Sequence, residues 1–264
     1  MDSENSSPDQ LPVEGVYVIN MERRSDRWES FQSAWRDVLP WDRVVRFPAS
    51  EGVHLPGFGE RPWFRGRKRD RTWAGRAGCA LSHARALRDA KLRGWSRVLI
   101  LEDDAVPVTP GSALPPVLAN EGWDLLYLGG DEAEGPFEER LEGAIGVRGA
   151  LQTHGYAVNA TARDWLAQRL PTESTVWAWV ARERAIDRWM RREVSRRLRV
   201  EMCRPQFAVQ ADDVSDITQR RENAGASASA RTVDVPHRNA SELRRAMEIV
   251  TDLTRAGLKR LIGF

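Results

Sequence analysis

From residue 15 onward the chain falls into apolar runs that stop sharply at polar or glycine positions. GVYVIN at 15–20 is short, apolar and β-branched, which predicts a buried strand. Asp26 and Glu29 stand at capping-box spacing, and Trp28, Phe31, Trp35 and Val38 recur at helical intervals, predicting a helix over about 26–38. A second strand is expected at 43–47. The segment 48–73, rich in Gly, Pro and Arg and without a period, reads as a long functional loop. A helix follows over 77–92, closed by Gly94. Strands are predicted at 97–101 and 123–128, separated by a proline-punctuated stretch, 107–120, with room for one short helix. Further strands fall at 144–148 and 154–159, a helix at 161–170, one or two Arg-rich helices over 177–198, and last strands at 199–203 and 206–210. Strands alternating with helices predict an α/β sheet.

The same pattern divides the chain. Residues 1–14 are polar and read as a disordered leader, 15–218 as one α/β domain, 219–240, with AGASASAR at 224–231, as a flexible linker, and 241–264 as an amphipathic basic helix. That helix places Leu243, Met247, Val250, Leu258 and Leu261 on one face. Packing on the body or on a twin subunit is favoured for it over an anionic membrane surface. A length of 264 residues allows one large or two small domains. No apolar stretch approaches the roughly 18 residues that cross a bilayer. The first ten residues lack a basic n-region and an apolar h-region, so a cytoplasmic protein is expected, peripheral on the inner membrane face if the basic helix meets lipid. Cys79 and Cys203 have neither metal-ligand spacing nor the number for a disulfide framework, and are read as reduced thiols. All but three of the 40 basic residues are arginine, which nearly balance the 38 acidic ones; coding bias explains this more simply than function.

Chemistry concentrates at a few junctions. The run VLIL ends in Glu102-Asp103-Asp104, three carboxylates at the carboxyl end of a buried strand, where open α/β sheets collect ligands. Such a cluster is costly near a core unless a cation neutralises it, and a hard ion, Mg²⁺ or Mn²⁺, bridging to a substrate diphosphate is its natural partner. The competing reading is an acidic turn that caps the next segment. GCALSH at 78–83 is read as a helix start, where N–H groups attract phosphate and Ser82 and His83 add hydrogen bonds; a satisfied structural histidine is the plainer alternative. Asn20, Arg23 and Arg27 lie where the first strand meets its helix. A second acidic cluster, Asp212, Asp213 and Asp216, follows the last strand, and Asp187 sits in a basic helix where a plain partner for Arg191 would do.

Taken in order, VYVINMERRSDRW, GCALSHARAL, VLILEDDAV, WDLLYLGG, Gly155-Tyr156-Ala157, Ile186-Asp187 and PQFAVQ with Ser215-Asp216-Ile217 resemble glycosyltransferase family 25 over about 15–220. Met21 stands where the family has Leu, and Gly75-Arg76-Ala77-Gly78 replaces a more acidic approach to the Gly-Cys motif. The resemblance implies a single GT-A type, Rossmann-like nucleotide-sugar domain with a mixed, mostly parallel sheet. It implies metal-dependent, inverting transfer of a hexose, galactose first, from a UDP-sugar to a hydroxyl of a glycan, glycolipid or peptide. On that reading Asp103 and Asp104 hold Mn²⁺ or Mg²⁺, Glu102 binds the ribose or supports the ligands, and Asn20, Arg23, Arg27, Ser82 and His83 face the donor. Asp187 is the expected general base with Asp216 its competitor, and Tyr156, Trp177 and Trp179 are candidates to stack on acceptor sugar, with buried core the favoured place for at least one of them. Two other classes compete: a nucleic-acid-binding module built on RPWFRGRKRDRTW at 61–73, and a carbohydrate-binding relic without catalysis. Balanced charge elsewhere argues against a stable nucleic-acid partner.

Overall fold

The computed structural model describes residues 12–64, 66 and 69–211. The leader up to residue 11, the linker, the C-terminal helix and the second acidic cluster, Asp216 included, lie outside the described residues. Among the described residues, twelve strands are interspersed with five α-helices. They run β1 (Gly15–Asn20), α1 (Ser25–Trp35), β2 (Val44–Pro48), α2 (Arg69–Leu92), β3 (Arg97–Glu102), β4 (Ala105–Pro107), β5 (Leu125–Tyr127), β6 (Asp131–Glu134), β7 (Glu139–Leu141), β8 (Ala144–Gly146), β9 (Gly149–Leu151), β10 (Gly155–Asn159), α3 (Ala160–Arg169), α4 (Val176–Glu183), α5 (Ile186–Glu193), β11 (Val200–Cys203) and β12 (Ala208–Gln210).

Eight of these strands form one sheet in the order β2-β1-β3-β10-β5-β11-β8-β7; β12 pairs with β4 and β6 with β9 in two small ribbons. The sheet is mixed, as expected, but not mostly parallel. Three of its pairings are parallel, β1 with β2, β1 with β3 and β5 with β11, against four antiparallel. The reversal is set by β10, which enters the middle of the sheet antiparallel to both β3 and β5.

Side-chain alternation splits the core into two layers. Tyr17, Ile19, Val98, Ile100, Tyr156, Val158, Leu125 and Tyr127 face α2, α3, α4 and α5. Val16, Val18, Leu99, Leu101, Ala157 and Leu126 face α1 and the segment around Val117 and Trp123. Strands buried on both faces explain why β1 and β3 read as continuous apolar runs.

Two predicted helix starts move. The expected capping box at Asp26 is not formed: α1 begins at Ser25 with no side-chain cap, and Asp26 instead accepts a hydrogen bond from Arg24 at 2.9 Å. α2 begins at Arg69 rather than 77, so GCALSH lies mid-helix and the expected phosphate-binding helix start is absent there. The preceding segment lies tightly along this helix. A Cβ on Gly52 would sit 1.8 Å from the Ala74 carbonyl oxygen, and one on Gly78 would sit 2.3 Å from that of Ser50. The C-terminus of α2 closes as predicted at Gly94 (φ +74°), with Trp95 N–H donating to the Ala90 carbonyl at 3.0 Å.

Candidate functional site

The parallel strands β1 and β3 end side by side, Ile19 opposite Glu102, and place Asn20 and the acidic turn at one edge of the sheet. The turn is held from both sides: Asp103 N–H donates to the Ile19 carbonyl at 3.1 Å, and Ala211 N–H to the Asp104 carbonyl at 2.7 Å. Asn20 is fully buried. Its Nδ2 donates to Asp103 Oδ2 at 2.6 Å, while its Oδ1 accepts from Arg46 Nε at 2.9 Å and Nη2 at 2.6 Å. From α1, Arg27 Nη1 donates to Asp103 Oδ1 at 2.9 Å and approaches Asp104 Oδ2 at 3.6 Å. Both oxygens of Asp103 are therefore engaged. Burial raises its pKa, and Arg27 and Asn20 counter that.

Asp104 differs. Gln210 Nε2 donates to its Oδ2 at 3.1 Å, but among the described residues its buried Oδ1 has no hydrogen-bond partner. Burial and then repulsion from Glu102 and Asp103 push its pKa to about 7. Glu102, one residue beyond Leu101, turns toward α2. Its Oε1 accepts from Thr153 Oγ1 at 2.7 Å and meets His83 Nε2 at 3.2 Å. Burial would raise its pKa, yet the hydrogen bond and charge of His83 and the Thr153 hydroxyl carry it below the usual range. His83, wholly buried, is fixed at its other nitrogen by Tyr156 Oη at 2.9 Å. Cys79 stands one turn earlier on α2. Burial, then the charges of Glu102, Asp187 and Asp104, hold its thiol well above its ordinary pKa, so it stays protonated at neutral pH.

Asp187 lies in a helix, as the sequence suggests, in the first turn of α5. Its Oδ1 accepts from Arg188 N–H at 2.7 Å and its Oδ2 takes a long contact, 3.5 Å, from Gln152 N–H. Its charge reaches both Cys79 and the half-buried Arg76. The structure thus brings together Asn20, Arg27, Glu102, Asp103 and Asp104, with His83 on Glu102, while Asp187 shares with Glu102 and Asp104 an influence on Cys79.

The other expected site residues lie elsewhere. Arg23 is half exposed and pairs with Glu51 at 3.1 Å, away from the acidic turn's hydrogen bonds. Ser82 is buried: its hydroxyl donates to the Gly78 carbonyl at 2.7 Å and accepts from Ser50 N–H at 2.8 Å, fastening the 48–52 segment to α2 rather than facing a donor. The acceptor-stacking aromatics are core. Tyr156 is sealed against His83; Trp177 packs edge-on to Phe64 at 4.7 Å and donates to the Pro56 carbonyl at 2.7 Å; Trp179 lies against Trp189. Inside, their rings cover apolar surface that strands and helices must bury. The aromatic residues of the 61–73 stretch also turn inward, Phe64 fully buried and Trp63 and Trp73 partly. Gln210, Thr153, Arg46 and Cys79 were not expected at the site. Only Cys79 carried a signal, its position four residues before His83 on one helix face.

No family model matches the chain. Among curated proteins it is 32% identical over 185 residues, 62% of this chain, to a glycosyltransferase 25 family member of Anopheles gambiae. It is 29% identical over 190 residues to one of Aedes aegypti, and 29% over 178 residues to a human protein named inactive glycosyltransferase 25 family member 3. By sequence this chain is similar to part of these glycosyltransferase 25 family proteins. It spans 30% of the length of each of these relatives. The acidic turn has a donor set that fits a hard divalent ion. Asp104 offers a buried, unpartnered carboxylate oxygen beside two further carboxylates, whereas Asp103 has both oxygens occupied and fits as a support for the turn.

Proposed function

We propose that the chain is a glycosyltransferase that moves a hexose from a UDP-sugar, galactose first, to a hydroxyl of a glycan, glycolipid or peptide. Its sheet would serve as a nucleotide-sugar fold of the GT-A type, with Mn²⁺ or Mg²⁺ at Asp104. The observation that carries this reading is the buried, unpartnered Oδ1 of Asp104 at the carboxyl end of β3, in a chain similar to part of glycosyltransferase 25 family proteins. When bound, the ion supplies Lewis-acid stabilisation of the departing diphosphate. Asn20 and Arg27 hold Asp103 and the turn in place. Gln210 orients Asp104, while His83 and Thr153 hold Glu102. Asp187, whose Oδ2 is held only by the long contact from Gln152, takes the proton from the acceptor hydroxyl in an inverting transfer.

A screen of UDP-sugars with Mn²⁺, read by mass spectrometry for free UDP and transferred sugar, tests the reading. UDP-galactose is expected to turn over, and Asp187→Asn to slow the chemical step by roughly 10²–10⁴-fold without weakening UDP binding. Absence of UDP release from every sugar nucleotide, with glycan, glycolipid and peptide acceptors present, contradicts it and favours the non-catalytic relic.

A further inference from the structure

The transferase reading leaves the Cys79 thiol without a role. Cys79 and His83 are four residues apart on α2 and share a face, and Glu102 meets them from the end of β3. One ligand atom from each of the three lies within 4.8 Å of the others. His83 Nε2 and Glu102 Oε1 are 3.2 Å apart. Two ligands each about 2.0–2.1 Å from a tetrahedral ion stand about 3.3–3.4 Å apart, so this pair already has the required span. The ring is oriented from behind by Tyr156 at 2.9 Å, as supporting groups fix metal ligands, while Thr153 donates at 2.7 Å to the same Glu102 Oε1, which keeps a second lone pair for the ion. Negative charge from Asp104 and Asp187 also reaches the thiol.

We propose that Cys79 Sγ, His83 Nε2 and Glu102 Oε1 form a site for a thiophilic divalent cation of the zinc class, its fourth position open to water. Thiolate and imidazole select such an ion over Mg²⁺ or Mn²⁺. The ligand set shares no residue with Asp103 and Asp104. On binding, the thiol proton and any proton on His83 Nε2 pass to solvent, and the proton on Nδ1 is donated to Tyr156, leaving the Nε2 lone pair for the ion.

Titration of the full chain with Co²⁺, followed by near-ultraviolet absorbance, tests this without reference to sugar transfer. A thiolate-to-cobalt charge-transfer band saturating at one ion per chain is expected, displaced by Zn²⁺, lost in Cys79→Ser and retained in Cys203→Ala. The chain has two cysteines, so retention in Cys203→Ala assigns the band to Cys79 even if Cys79→Ser fails to fold. No band in the wild type, a band surviving in Cys79→Ser, or one abolished in Cys203→Ala overturns the proposal.

Discussion

Asp103 and Asp104 are neighbours in sequence and opposites in surroundings. Asp103 faces β1 and α1, where Asn20 and Arg27 occupy both of its oxygens and Arg46 in turn fixes Asn20. Asp104 faces β12, where an amide from Gln210 meets Oδ2, with Arg27 3.6 Å from the same oxygen, and among the described residues Oδ1 has no hydrogen-bond partner. One carboxylate of the turn has both oxygens hydrogen-bonded; the other, among the described residues, has one. A buried carboxylate oxygen without a hydrogen bond costs stability, which makes Asp104 the costlier of the two to keep.

The largest break in this comparison comes from Asp104→Asn. Turnover is expected to fall at least about 10³-fold, since Lewis-acid stabilisation is worth several kcal/mol, while the melting temperature without metal holds or rises. Steady-state kinetics and calorimetry check both. Next is Arg27→Met, which leaves Asp103 with one partner and is expected to destabilise by about 3–5 kcal/mol in urea unfolding. The pH dependence sharpens the contrast further. The Asp104 carboxyl keeps its proton in the folded chain up to about 7, against 3.8 for its ordinary value, so the folded state binds the extra proton. Metal-free stability should therefore fall as pH rises from about 4 to about 7, by about 1.4 kcal/mol for each pH unit crossed, and Asp104→Asn should flatten that slope. Urea unfolding at a series of pH values measures it. Smallest is Arg23→Ala. It breaks a surface pair with Glu51 and should change stability by less than about 0.5 kcal/mol and turnover little.

The strands that build the site were legible because burial on both faces writes an uninterrupted apolar run, as in GVYVIN and VLIL, and the acidic turn is the abrupt end of one such run. The start of α2 was not. RDRTWAGR carries charges and a glycine with no apolar stripe, and its helical form is set by packing of Trp73 and Ala74 that no local pattern records. Helix α4 ends where Arg184 adopts φ +73°, so the predicted 177–198 stretch divides in two. The short polar strands β6 and β7 were missed because DEAE and ERL carry no strand signal of their own. Tyr156, Trp177 and Trp179 show the limit for sites: an aromatic ring suits a sugar platform and a core equally, and only the tertiary fold decides which way it points.

The claim on which the account turns is that Asp104 holds the divalent ion. Calorimetric titration of Mn²⁺ in the presence of UDP, into the wild-type chain and into Asp104→Asn, measures it most directly. Binding at one ion per chain in the wild type and at least about 100-fold weaker binding in the variant is the predicted result. Equal affinity in the two proteins would contradict it.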